Sequence, residues 1–404
     1  GMLEMREAIK PFRIFQDETD ENAFWIENLR DFTGLSDIYL HWTLERDGRP
    51  VCSGMVGELT AAPGTSERFV LPLPAKEALC GTLCLNFFIR QKNTVWWAEA
   101  GCELGCEQIL LRRADVLPKI LRPCTAPVLD EDERTMSVRC GDTVYDFDKA
   151  SGLLTRLTDN GRVLIDAPVT VEMTRAPMDN DRYIKVKWQD AGLFEAVPVY
   201  TGLRVCSASQ NTAVLETTLT LRAKGADILH AALKYTVGSD TGLTVALDAR
   251  ILPKDVRYFP RLGLRFSMPR EVERLVYFGR GPMECYEDKR LAARLSRFET
   301  TVTQNYEPYP YPQENGAHGD TAWLAATTLS GHGLLFEKES AAFSFDASHF
   351  GTEQLMRAQY EYELKEEDRT YIHIDYRQSG SGSNSCGPVL DEAYQLKAGR
   401  HRFC

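Results

Sequence analysis

The sequence has no apolar run long enough to cross a bilayer and no N-terminal leader of the secretory type. It also has no run of lysines and arginines. Its balance is acidic, 58 Asp and Glu against 47 Lys and Arg, for a net charge of −11. A nucleic-acid partner calls for a basic face, so neither nucleic acid nor membrane is an expected partner. An acidic surface suits a neutral substrate. The eleven cysteines are odd in number and scattered. That pattern argues against a disulfide framework and for reduced thiols in the cytoplasm. Cys80 with Cys84, and Cys102 with Cys106, are closely spaced. They lack both a neighbouring His and the zinc-knuckle form, so they read as ordinary half-buried thiols rather than metal ligands. P-loop, Rossmann, nucleophile-elbow and His-Glu-x-x-His motifs are missing. Gly279-Arg280-Gly281-Pro282 is glycine-rich, but Pro282 removes an N–H that a phosphate cradle would use, so a tight turn is the expectation. Sustained helical periodicity is absent too; the one named helix candidate is short, Glu353 to Arg357.

What remains is strand. Residues 38–44 alternate, turn at Asp47-Gly48 and resume at Val51. Residues 143–147 alternate, pass Ser151-Gly152, continue through Leu153 to Leu157 and turn again at Asn160-Gly161. Further β-branched runs lie around 214–220 and 243–247. A hydrophobic fraction of 43% with 10% aromatics is enough for packed cores. A proline-rich and then acidic stretch near 116–134 reads as a linker. The expected division is a β-sandwich over 2–117, a linker over 118–134 and a large antiparallel domain over 135–404. Gly1 before Met2 reads as the remnant of a removed tag.

Four polar constellations stand out. Thr174 to Asp181 ends in Asp179-Asn180-Asp181, which suits a cation, sugar hydroxyls, or an Asx-rich turn pinned by Arg175. Tyr277 to Arg290 mixes Glu284, Tyr286 and Asp288 with arginines, in the manner of a structural ion-pair network. Tyr306 to Gly316 sets Tyr309 and Tyr311 beside Gln313, Glu314 and Asn315, the chemistry of a sugar site or of an aromatic core corner. Ser379 to Pro388 is small and flexible, either a hairpin loop or a ligand-facing loop.

In this order the four motifs resemble the C-terminal part of glycoside hydrolase family 2 β-galactosidases. The matching runs are Arg175-Ala176-Pro177-Met178-Asp179-Asn180-Asp181, the stretch from Gly279 to Arg290, Pro312-Gln313-Glu314-Asn315-Gly316, and Asp375-Tyr376-Arg377 leading to residues 383–388. In the front half, Trp97-Ala98-Glu99-Ala100-Gly101 with Glu103, Glu107 and Gln108 is similar to the family's domain after the catalytic barrel. Cys102 and Cys106 stand where His and Trp are common. The resemblance implies an all-β chain: an immunoglobulin-like β-sandwich followed by a large antiparallel, galactose-mutarotase-like supersandwich. It implies that the two catalytic glutamates lie on an upstream TIM barrel, so no residue of this chain is expected to be catalytic. It implies a galactoside or galactose as ligand and that barrel, on the same or a separate chain, as partner. It implies no cofactor held here, since family enzymes use Mg and Na mainly through other domains. The sugar-facing residues it implies are Asn384, Ser385 and Cys386, with Asp179, Asn180, Asp181, Arg182 and Tyr183 from a facing loop that is shortened in this chain. Cys386 stands where some members carry a stacking tryptophan.

The leading expectation is therefore the non-catalytic portion, or small subunit, of a cytoplasmic β-galactosidase. Surface left bare by the missing barrel also allows a homo-oligomer. Two alternatives stay open. One is a stand-alone carbohydrate-binding module. The other is an aldose epimerase, which needs a general acid and base such as His318 or His349 with Glu314.

Overall fold

The computed structural model describes residues 1–75, 79–114, 125–239, 242–339, 341–382 and 387–404. The chain divides into two compact units, Gly1–Pro118 with Phe278–Met283 and Lys289–Phe298, and the remainder. The front unit thus includes two short stretches from late in the sequence.

The front unit is an antiparallel sandwich. Strands Phe12–Gln16, Ala23–Asn28 and Ser66–Val70 form one sheet; Ile38–Arg46, Arg49–Val56, Leu83–Gln91 and Glu103–Arg112 form the other. Strand Ile38–Arg46 buries every second residue, Ile38, Leu40, Trp42 and Leu44, as period-two alternation requires. Those residues share one core with Phe12, Phe24, Ile26, Phe69 and Phe87 of the two sheets. Phe24, Phe69 and Phe87 lie within 6.0 Å of one another, centroid to centroid.

The expected hairpins form. Asp47 and Gly48 have φ of 50° and 73°, and Asn160 and Gly161 of 49° and 74°. Both pairs therefore close two-residue turns whose twist matches their strands. Their glycines differ in surroundings. A Cβ on Gly161 meets nothing within 4 Å, whereas one on Gly48 falls 2.0 Å from the Arg297 backbone nitrogen. Gly161→Ala is expected to cost about 1 kcal/mol, the strain of a left-handed residue with a side chain. Gly48→Ala should cost about 2–4 kcal/mol, because overpacking adds to that strain. Urea denaturation of the two variants checks the order; equal losses would exclude the close approach.

The second unit is built from long antiparallel sheets. One holds Thr212–Ala223, Ala226–Gly238 and Gly242–Ile251 at its centre. Another runs in the order Thr170–Glu172, Arg261–Pro269, Arg369–Gln378, Phe343–Ser348, His318–Thr321. The acidic run read as linker is in part a strand: Val128–Glu131 pairs with Thr135–Cys140 at the edge of a five-stranded sheet. Its charges are tolerated because an edge strand exposes most of its residues to water. Residues 118–124 of that predicted linker lie outside the described residues. Gly279-Arg280-Gly281 completes strand Arg274–Gly281 instead of forming the expected turn.

Helix Thr352–Arg357 covers the expected candidate. Helices Met2–Ile9 and Ile184–Asp190 were not expected. In the first, Met2, Met5 and Ile9 are exposed and Glu7 is the buried residue, so no apolar stripe marks it. Glu7 is held by Arg6, by Lys10 at 3.2 Å and by the Cys106 N–H at 3.0 Å. No described helix is long and apolar enough to cross a membrane.

Candidate functional site

The back unit draws parts of all four constellations together around two buried arginines. Arg175 has no exposed surface. Its Nε and Nη2 donate to the two carboxylate oxygens of Asp181 at 3.0 and 2.7 Å. Its Nη1 donates to the Ser379 carbonyl at 2.7 Å and Nη2 to that of Gly380 at 3.2 Å. Planar guanidinium geometry suits this, since one fork binds a carboxylate while the remaining N–H groups collect carbonyls. Asp181 also accepts from the Met178 N–H at 2.9 Å, which closes the turn.

The 379–382 segment is held from a second side. Asp288 accepts from the Ser381 N–H at 2.7 Å and from the N–H of Gly382. This approach requires Gly380, because a Cβ there would sit 2.5 Å from the Asp288 carboxyl carbon. Asn180 Nδ2 donates to the Gly382 carbonyl. Gln313 Oε1 accepts from the Asp179 N–H at 3.1 Å, and the Glu314 N–H donates to the Ala176 carbonyl at 3.0 Å. Tyr309 donates to Glu284, whose other oxygen accepts from Gly316 N–H at 3.0 Å. Met178, Tyr286 and Ala317 form a small apolar cluster.

The predicted site residues separate by exposure. Asp179, Arg182 and Tyr183 are exposed, and the Arg182 guanidinium lies 5.0 Å over the Tyr183 ring. Asn180 is half-buried and bonded to the neighbouring segment. Asp181 is 1% exposed with both oxygens engaged, so its side chain faces Arg175 and not solvent. Asn384, Ser385 and Cys386 lie outside the described residues. The stretch after Asp181 continues into helix Ile184–Asp190.

The second arginine escapes the sequence reading. Arg261 is fully buried and faces Asp375 at 3.1 Å, Glu314 at 3.1 Å and Asp346. Asp346 in turn bonds His373 Nδ1 at 2.7 Å. Arg265, His373 and Asp346 stand in one cross-strand row, with Gly263, Asp375 and Ser344 in the next, so all point to one face. Gly263 leaves the space that the Asp375 carboxylate occupies; a Cβ there would lie 2.2 Å from its Oδ1. Burial drives the Glu314 carboxyl well above the usual range, with Asp346 and Asp375 adding to the effect. Burial raises Asp375 as well. Asp346 goes the other way: burial opposes its ionisation, but His373 and Arg261 outweigh that and hold it below the ordinary range. Alternation did carry a signal, since Arg261, Gly263 and Arg265 interleave with Leu262, Leu264 and Phe266.

These contacts bear on the epimerase alternative. His318 is buried, with one ring nitrogen 2.8 Å from Asn305 Oδ1 and the other 3.1 Å from the Tyr277 hydroxyl. His349 bonds Glu273 at 2.8 Å and the Arg369 carbonyl at 3.1 Å. Glu314 is committed to Arg261. Neither histidine presents a ring nitrogen to a sugar, so the acid–base pair that chemistry needs is not formed by these residues. Among the described residues no group of three or more His, Cys, Asp or Glu is arranged to hold a metal ion.

Comparison with known proteins places both halves of the chain. Residues 139–404 match the family profile described as β-galactosidase small chain, and residues 24–112 match that of β-galactosidase domain 4. A β-galactosidase of Actinobacillus pleuropneumoniae is 32% identical over 402 residues, 98% of this chain and 38% of that protein. A β-galactosidase of Staphylococcus xylosus is 31% identical over 298 residues, 73% of this chain and 30% of that protein. The chain therefore spans only about a third of the length of these curated relatives. A solved galactose mutarotase-like protein from Lactobacillus casei aligns over 69% of this chain at 10% identity with a TM-score of 0.32.

Proposed function

The chain belongs to the β-galactosidase small-chain family, and on that premise we propose that it is the C-terminal, non-hydrolytic portion of a family 2 glycoside hydrolase acting on terminal β-D-galactosides. In this role it forms one rim of the sugar site. The observation that carries the proposal is the double tether of residues 379–382. Arg175 holds Ser379 and Gly380, and Asn180 holds Gly382, to the turn that exposes Asp179, Arg182 and Tyr183. The described end of that segment, Gly382, is thus held beside the turn. Asp179 offers a carboxylate for hydroxyls, and the Arg182–Tyr183 pair offers a cation and a flat face. Asp181 shapes the turn from beneath.

Retaining hydrolysis needs an acid/base and a nucleophile about 5–5.5 Å apart across the bond. Both come, in this proposal, from a barrel on the remainder of the protein, and any Mg or Na is held there too. A cytoplasmic location goes with this reading, since eleven scattered cysteines do not make a disulfide framework.

The test uses the purified chain, alone and co-expressed with a barrel-bearing remainder, on a nitrophenyl β-galactoside. No turnover is expected from the chain alone, and turnover is expected from the co-purified pair. Asp179→Ala in the pair should raise KM about tenfold, the loss of one hydrogen bond from a charged acceptor. Activity that follows the chain through repurification, or a co-purified pair indifferent to Asp179, would overturn the assignment.

A further inference from the structure

A cleft of about 240 Å³ opens in the back unit, bounded by helix Ile184–Asp190, the turn Leu193–Glu195, the Tyr311–Pro312 bend and helix Thr352–Arg357. Trp188 anchors the helix and the turn that form one side of it. That ring is fully buried, donates from Nε1 to the Tyr258 carbonyl at 2.7 Å, and meets the Phe194 ring edge-on at 6.4 Å. The Arg175 guanidinium lies 5.8 Å over it. With Trp188 turned inward, Lys185 and Gln189, four residues apart on one helical face, both line the cleft. Gly192 then ends the helix at φ +76°. A side chain at that position would press on Ala223, 2.7 Å away. The reversal it allows brings Phe194 and Glu195 round to the same cleft. Tyr311, 44% exposed, and Met356 close the opposite side.

The lining offers two aromatic rings, an amide, an ammonium and a carboxylate, with no net charge. Lys185, Gln189 and Glu195 have no side-chain partner among the described residues, so their donors and acceptors are available to a ligand. An anionic ligand would meet Glu195. A purely apolar one would strip water from three polar heads and return nothing. A neutral ring with hydroxyls on its rim and C–H bonds on its face satisfies all of them. The volume suits a single pyranose unit.

We infer that this cleft is a saccharide-binding site in its own right, separate from the Asp179 rim, taking one pyranose unit of a neutral oligosaccharide. It needs no residue from a barrel, so the 404-residue chain alone should bind. The arginine that ties the rim together also lies over the tryptophan that shapes the cleft, so the two sites share one support.

Met356 provides the reporter. The full chain, labelled with 13C-methyl methionine, is titrated with lactose, cellobiose and maltose. The Met356 methyl signal is expected to move with at least one of them, saturating near ~1–10 mM, as for a small ligand with few contacts. Tyr311→Ala and Glu195→Ala should each weaken that saturation at least fivefold while leaving the remaining methionine signals in place, which certifies the fold. The inference is overturned if no sugar moves Met356, if both variants titrate like the parent, or if Met178 beside the rim responds in its stead. Failure of galactoside hydrolysis in the co-purified pair bears on the rim alone and leaves this titration unaffected.

Discussion

Arg261→Met is expected to destabilise the back unit by roughly 3–5 kcal/mol, the cost of breaking a buried ion network by removing one partner. The substitution keeps most of the volume and removes the guanidinium that pairs with Asp346, Asp375 and Glu314 together. Those carboxyls cannot reach water, being 0–8% exposed at the side chain. An exposed pair such as Arg274 with Glu299, 2.7 Å apart, is the control. Arg274→Met should cost no more than about 1 kcal/mol, because water screens that pair. Hydrogen exchange of strand Arg369–Gln378 under urea reads the back unit separately from the front one. A loss from Arg261→Met as small as the control's would mean that the network is not closed to solvent.

The same network fixes a pH dependence, and its two kinds of carboxyl act in opposite directions. Glu314 is raised in the folded protein. Its contribution is therefore complete below the unfolded value of about 4.3 and is lost as pH rises through the folded one. Asp346 is lowered. Its contribution is present above about pH 3.9 and is lost as pH falls through its folded value. Glu314→Gln replaces a protonated acid by a neutral near-isostere that still offers Arg261 a carbonyl oxygen. Stability of the variant should fall less steeply than the parent's as pH rises above about 4.3, the remaining decline being that of Asp375, which is raised as well.

The strands were legible because they follow two local rules. Ile38 to Leu44 alternates and ends at Asp47-Gly48, and both the period and the turn survive folding. Arg175 was legible as the pin of an Asx-rich turn, since its carboxylate partner lies only six residues away. Arg261 was not, because its partners Glu314, Asp346 and Asp375 lie 53, 85 and 114 residues along the chain. They become neighbours only through the pairing of three strands and a loop. Helix Met2–Ile9 stayed hidden for another reason: it is held by the buried Glu7, and its large apolar side chains point to water. Helix Ile184–Asp190 has too few residues for periodicity to register, and its inward anchors are just Ile184 and Trp188. The proline-rich stretch misled in part because charge at Asp130 and Glu131 describes an exposed edge strand as well as a linker.

Asp181→Asn should be nearly as damaging as Asp181→Ala, although it preserves the shape of the side chain. Both carboxylate oxygens of Asp181 accept, from Arg175 Nε, Arg175 Nη2 and the Met178 N–H. An amide supplies one acceptor and turns its NH2 toward a donor, so a buried donor is left unmet and the opposing charge goes unneutralised. Each variant is expected to lose about 3–5 kcal/mol, as is Arg175→Met. Arg175→Lys is not a rescue, because a point ammonium cannot fill a fork that also gathers the Ser379 and Gly380 carbonyls. The double variant Arg175→Met with Asp181→Leu removes both charges at once. It should recover at least about 2 kcal/mol relative to the sum of the single losses, since neither partner is then stranded. Stability and function should part company in that variant. Met and Leu can refill the space, but the Arg175 tether on residues 379 and 380 is lost and the turn then holds the segment through Asn180 and Gly382 alone. In the co-purified pair the double variant should therefore stay folded while KM for the nitrophenyl galactoside rises about tenfold or more and kcat changes less. A double variant with the parent's KM would show that the rim does not depend on this tether, and would separate the stability role of Arg175 from any role in holding the sugar.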